Sequence, residues 1–228
     1  MTSESKGLTR QQMCDRLAME FGDGWIVNLG VGIPTLCSNF DFGSKQIIFH
    51  SENGVIGYGP LAARGKEDAH LVNAGGQHVT LHPWGSIVHH ADAFAMIRGG
   101  RIDATVLGAY EVAANGDFAN WRAAGQKGGG IGGAMDLAAG AKRVFVVMEH
   151  QTRDGRPRLV HSCSLPLTAP AAVKLVATNF GLFEPVGDGF LLREIAPGIE
   201  LAEIEAATGA NLHVSQNLAP VRLEGQRL

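Results

Sequence analysis

Short apolar runs that alternate with helical patterns constrain this chain most. Trp25-Ile26-Val27-Asn28-Leu29, Ile47-Ile48-Phe49, Asp103 to Ala109 and Val144 to Glu149 each read as a buried strand, and each runs into a turn or a charged residue. Apolar spacing of four places Met13, Leu17 and Phe21 on one face of a helix over Thr9 to Phe21, with Thr9 placed to cap it. A second helix is expected over Ala91 to Arg98, ended by Gly99-Gly100, and a third over Ala134 to Ala141. Strand and helix in alternation specify an α/β fold: an open, mostly parallel sheet flanked by helices. The 228 residues suffice for one substantial core, so residues 1–228 read as a single domain, with 1–7 and 222–228 as loose termini.

Several further elements follow from the same reading. Gly30-Val31-Gly32-Ile33-Pro34 closes the first strand, and Pro34 is suited to open a helix. The stretch holding Val79, Leu81, Ile87 and Val88 reads as short strands with turns at Pro83 and Gly85. Arg153 to Arg158 reads as a charged hairpin or loop, and Thr168 to Thr178 as a helix with Pro170 in its first turn. Gly181 to Glu194 reads as a pair of edge strands, and Thr208 to Val214 as a helix leading into a last short strand.

Composition excludes several classes of function. A net charge of -3 suggests neither a nucleic-acid surface nor a membrane surface. No run of about 20 apolar residues is present to span a bilayer. Met1 to Lys6 is polar and lacks the apolar core of a signal peptide, while Cys14, Cys37 and Cys163 are odd in number and far apart. A reducing compartment, the cytoplasm, is the expectation. The 31 glycines cluster beside apolar runs without a collagen-like period, which implies positive φ or close approach of something to the main chain.

Chemistry concentrates in Phe49-His50-Ser51-Glu52-Asn53-Gly54-Val55-Ile56-Gly57. Glu52 directly follows an apolar strand and opens an Asn53-Gly54 turn, and ligands meet α/β sheets at strand ends. The same residues also read as a strand-ending turn whose glutamate faces water. Gly30 and Gly32 leave backbone donors free for a phosphate or carbonyl oxygen, or form an ordinary α/β connection. Gly128, Gly130 and Gly133 imitate a dinucleotide fingerprint, but Phe118 to Lys127 lacks the strand that must precede one. His82, His89 and His90 do not have metal-ligand spacing, so no metal site is expected. Cys37 and Cys163 read as small core residues, and Glu149 as a hydrogen-bonded structural carboxylate.

Phe49 to Gly57 resembles the active-site signature of the beta subunit of family I coenzyme A transferases. Asn28 to Pro34, Val72-Asn73-Ala74-Gly75, Phe94 to Gly100, Ala119-Asn120-Trp121, Gly132 to Leu137 and Val147 to His150 resemble the same family, in its order. The resemblance covers nearly the whole chain. It implies the coenzyme A transferase (ribose-5-phosphate isomerase-like) fold, with Glu52 as catalytic nucleophile. It implies an oxyanion and acyl loop at Gly132 and Gly133, and contacts to coenzyme A (CoA) or substrate from Gly30, Gly32, Asn53 and Gly54. No permanently bound cofactor is implied; CoA is a co-substrate.

The family's other unit carries a Gly-Gly-Phe motif followed by Gly-x-Pro, which is missing here. The resemblance therefore implies a homologous alpha subunit as partner, most often two of each chain. Val88 to Met96, with His89 and His90, resembles the 3-oxoadipate branch, where the histidines would donate to a second carboxylate. Acetoacetate is the alternative acceptor; an acyl-CoA hydrolase or a non-catalytic CoA-binding module is the alternative of another class. Gly76 stands where many relatives carry lysine, and Gln126 to Ile131 is richer in glycine than usual.

Overall fold

The computed structural model describes residues 6–223. Helix α1 spans Arg10–Ala18, and Thr9 caps it through a capping box with Gln12. It ends three residues before Phe21, the last residue of the expected helix, which is buried in the core. Strand β1 is Ile26–Leu29; the segment opened by Pro34 after it is a 3-10 helix, Ile33–Asn39. Strands β2 (Ile48–His50), β3 (Val55–Leu61) and β4 (Val79–Ile87) follow, then α2 (His90–Arg98) and β5 (Ala104–Leu107). Two short strands, β6 (Glu111–Ala113) and β7 (Phe118–Ala119), precede α3 (Ala134–Gly140). The chain continues through β8 (Val144–Val147), β9 (Leu159–Val160), β10 (Val173–Thr178), β11 (Gly181–Pro185) and β12 (Gly189–Ile195). It closes with α4 (Leu201–Ala207) and β13 (Asn211–Pro220).

A ten-stranded sheet runs β13-β12-β11-β10-β8-β5-β1-β2-β3-β4, beside a small β7-β6-β9 sheet. Its centre, β10-β8-β5-β1-β2, is parallel throughout. Every residue of β5 and β8 is buried, as apolar runs covered on both faces require. Phe21, Phe42, Phe49, Phe145 and Tyr58 form a connected aromatic layer with ring centroids 5.5 to 6.5 Å apart. Each such ring removes about 150–250 Å² from water, so this layer is a major source of core stability.

Four expectations need correction. Thr168 to Thr178 does not form a helix: Val173–Thr178 is β10, paired in parallel with β8. Its β-branched residues fill a central sheet position, and that burial outweighs a weak helical spacing. Val79 to Ile87 is one strand without turns at Pro83 and Gly85. Because β4 is the outermost strand, Pro83 deprives no further neighbour of a hydrogen bond. β11 and β12 are interior strands, since β13 continues the sheet beyond them. The last helix ends at Ala207 with Thr208 as its C-cap, and β13 is ten residues long rather than short.

The expectation of loose termini falls, for residues 1–5 and 224–228, outside the described residues. Gly7 is tied down by its N–H, which donates to the Pro197 carbonyl at 3.2 Å.

Candidate active site

The order of the central strands locates a crevice. From β1 the chain moves outward to β2, then crosses to β5 on the opposite side of β1 and continues to β8 and β10. The topology therefore switches between β1 and β5, and the carboxyl ends of parallel strands part there to admit a ligand. A cavity of about 420 Å3 opens at that point. Leu29 and Gly30 line it from the end of β1, Leu107 and Gly108 from β5, and Val147 and Met148 from β8. Gly132, Gly133 and Ala134, at the start of α3, form another wall. Its size suits a small acyl group.

Glu52 enters this cavity from the turn after β2. The turn is built to hold one shape. The Gly54 N–H donates to the Ser51 carbonyl at 2.9 Å, and the Val88 N–H donates to Gly54 O at 2.9 Å. Gly54 has φ +107, and a side chain there would run into the Val88 carbonyl. Ser51 Oγ accepts from the Ala74 N–H at 2.8 Å, and Asn53 Nδ2 donates to Val72 O at 2.8 Å. His90 Nδ1 donates to the Glu52 carbonyl at 2.8 Å and its ring packs on Phe94.

Gly133 lies against the Glu52 carboxylate so closely that a Cβ would overlap Oε2. The N–H groups of Gly132 and Gly133 make no hydrogen bond among the described residues. Burial pushes the Glu52 carboxyl above its ordinary range; His90 opposes the rise and Asp136, in the first turn of α3, adds to it. A carboxylate raised in this way is a stronger base and nucleophile than one in water.

The sequence-nominated residues thus divide. Glu52, Gly30, Gly132 and Gly133 meet at one cavity. Gly32 caps the 3-10 helix beside it, while Asn53 and Gly54 shape the turn that carries Glu52. His89 does not face the cavity; its ring nitrogen accepts from the Ala91 N–H at 3.1 Å as the N-cap of α2. His82 stacks on Trp84 of β4, apart from both. Glu149 accepts from Arg10 Nε at 3.0 Å, the structural role expected of it. Cys37 is buried as expected, and Cys163 is half-buried.

Asn120, Tyr110 and Arg158 also line the cavity. Each stands one residue outside a strand of the small sheet, Tyr110 before β6, Asn120 after β7 and Arg158 before β9, and strands of two or three residues give no pattern that would single out their flanks; Asn120 alone belongs to a motif of the resemblance.

Comparison with known proteins settles the family. The model of the family described as coenzyme A transferase matches residues 10–207. This chain belongs to the coenzyme A transferase family. Among its relatives, a 3-oxoadipate CoA-transferase chain of Pseudomonas putida, named as the second of that enzyme's subunits, is 45% identical over 210 residues, covering 91% of this chain and 98% of that protein. A human mitochondrial succinyl-CoA:3-ketoacid coenzyme A transferase 2 is 44% identical over 215 residues, covering 93% of this chain but 42% of its own length. Among solved structures, the apoenzyme of an acyl-CoA transferase (YdiF) from Escherichia coli O157:H7 superposes with a TM-score of 0.74 at 20% identity, over 97% of this chain and 45% of that one. A decarboxylase, AibA/AibB, superposes with a TM-score of 0.69 at 22% identity, over 96% of this chain and 90% of that one. The fold is therefore shared beyond transferases, while the sequence match makes this transferase a family I chain of the beta type.

Proposed function

We propose that this transferase chain moves CoA from succinyl-CoA to a 3-oxo acid, with 3-oxoadipate as the acceptor and Glu52 as the nucleophile. The observation that carries the reading is the placing of the Glu52 carboxylate against Gly133 in the switch-point cavity. The acceptor is taken from the Pseudomonas relative, which this chain matches over 98% of that protein's length. The human relative, named for 3-ketoacids, makes acetoacetate the second reading.

The chemistry needs no energy source, since one thioester and one acid become another thioester and acid. Glu52 attacks the thioester carbonyl; the C–S bond breaks and CoA thiolate leaves an acyl-glutamyl anhydride. The thiolate then attacks the glutamyl carbonyl, the first acid departs, and CoA rests on Glu52 as a thioester. The 3-oxo acid attacks that thioester and frees the thiolate, which takes the new acyl group and restores the Glu52 carboxylate. Kinetics are ping-pong. At each addition charge builds on a carbonyl oxygen, and the unbonded N–H groups of Gly132 and Gly133 are the donors to meet it. Binding along the CoA arm supplies the rest of the rate enhancement at a distance.

The partner is a homologous alpha subunit, two of each chain in the assembly. A mitochondrial relative of more than twice the matched length fits the pairing of two such units. The three free cysteines fit a cytoplasmic setting. The test uses the chain co-expressed with its partner, incubated with succinyl-CoA without acceptor, trapped with borohydride and read by mass spectrometry. Reduction of Glu52 to an alcohol is expected, because borohydride reduces the thioester and spares a carboxylate. An unmodified Glu52 with rapid release of CoA would replace the transferase mechanism with hydrolysis.

A further inference from the structure

Among the residues lining the Glu52 cavity, two are charged: Glu52 itself and Arg158. Arg158 stands immediately before β9, with its backbone held on both sides. Its N–H donates to His150 O at 3.1 Å, and its carbonyl accepts from the Val112 N–H at 2.9 Å. Arg158 Nη1 donates to the Ala109 carbonyl at 3.3 Å, just beyond the end of β5. Arg158 Nε is buried with no hydrogen-bond partner. A guanidinium carries five N–H donors in a rigid fork suited to a carboxylate; with Nε enclosed, the Nη edge, where Nη1 alone has a partner among the described residues, is the edge left to meet an anion at the cavity. The wall around Glu52 is largely glycine, alanine, leucine, valine and methionine, and the half-buried Arg158 separates it from a second, polar cavity lined by Arg10, Glu149 and Arg153.

We propose that Arg158 is the specificity-determining residue of this transferase: it binds the far carboxylate of a dicarboxylic acyl group whose other carboxyl reacts at Glu52. The proposal rests on the transfer reading given above. A diacid brings a second negative charge into a cavity that already holds Glu52. Without a cation that charge would be expelled, whereas a monoacid presents no such charge. Arg158 thereby separates diacids from monoacids. His89 and His90, which the sequence nominates for this role, are engaged as the α2 cap and as the donor to Glu52 O.

The test measures binding of succinate, butyrate and CoA by calorimetry to the assembly co-purified with its partner subunit. Wild type, Arg158→Met and Arg158→Lys are compared. Wild type is expected to hold succinate more tightly than butyrate. Arg158→Met should weaken succinate about 30-fold, as loss of a charge-assisted pair would, and leave butyrate and CoA within about threefold. Arg158→Lys should recover part of the succinate affinity, which a misfolded variant could not. Equal affinity of wild type for the two acids, or a preference that survives in Arg158→Met, would overturn the proposal. So would a selective loss of CoA, since Arg158 would then read a coenzyme phosphate. Succinate selectivity that depends on Arg158 in a protein whose Glu52 is never trapped would keep Arg158 as the diacid-binding residue and remove Glu52 as the nucleophile.

Discussion

The carboxylate of Glu52 rests on the bare α-carbon of Gly133, with no space between them for a methyl group. The relation joins the turn after β2 to the start of α3, segments 81 positions apart in the chain. Gly133→Ala would push the carboxylate away or force the Phe94 ring, 3.0 Å from the new Cβ, to move. A displacement of about 1 Å at a nucleophile costs roughly 100-fold in rate, so transfer by Gly133→Ala is expected to fall at least that far. Its melting temperature should stay near wild type, because the atoms it meets are side-chain ends. Gly54→Ala should lower the rate too, since it distorts the turn that carries Glu52, but unlike Gly133→Ala it should also cost stability. It places a side chain at φ +107 and against the Val88 carbonyl, and it should lose at least ~1 kcal/mol of stability. Thermal melts and steady-state rates on both variants separate the two effects; a wild-type rate in Gly133→Ala would remove the glycine from the mechanism.

Glu52 should be a stability cost as well as a nucleophile. Burial holds its carboxyl above the ordinary range, so the folded chain binds that proton more tightly than the unfolded chain does. Ionised Glu52 therefore destabilises the fold at neutral pH, and the penalty disappears as pH falls through the raised pKa. Glu52→Gln removes the charge at almost equal volume. It is expected to abolish transfer and to raise the melting temperature by about 2 °C near pH 7.5. The gain should close as pH falls toward the carboxylate range, where wild type is protonated too. A variant no more stable than wild type at neutral pH would show that contacts to the ionised carboxylate offset its burial.

The parts legible in the sequence were those that local pattern determines. The apolar runs of β1, β2, β5 and β8 carry enough β-branched and aromatic residues to declare themselves, and Glu52 stands where such a run stops. What escaped depends on distant partners. Val173–Thr178 becomes a strand because β8 lies beside it, and Pro83 sits inside β4 because that strand is the outermost of the sheet among the described residues. Arg158 comes to the cavity through a parallel pairing of β6 with β9, whose members are separated by more than forty residues. No spacing along the chain announces such a contact. The histidines show the converse: His89 and His90, which the resemblance put at the acyl group, serve the backbone that frames the site.

Arg16 of α1 and Glu194 of β12 show how the helix is fixed to the sheet. Arg16 is 1% exposed; its Nε donates to Glu194 Oε2 at 2.6 Å and its Nη2 to Oε1 at 2.7 Å. Nη1 donates to Glu20 at 2.8 Å, so all three guanidinium nitrogens are engaged. Burial alone would push the Glu194 carboxyl up, but the Arg16 fork more than reverses this and holds it below its usual range. The pair therefore stabilises the fold above the ordinary carboxylate pKa, and that contribution is lost as pH falls through the depressed value. Arg16→Met leaves a carboxylate that is 7% exposed without its partner, and should cost about 3–5 kcal/mol at pH 7. Its deficit should shrink on mild acidification, because the abandoned Glu194 then protonates at a higher pH. Adding Glu194→Leu to Arg16→Met should restore most of the loss, since two packed apolar side chains carry no desolvation penalty. Urea unfolding of the two variants at pH 7 and pH 5 decides the matter: a single variant within about 1 kcal/mol of wild type would make the fork a bystander rather than the joint between α1 and β12.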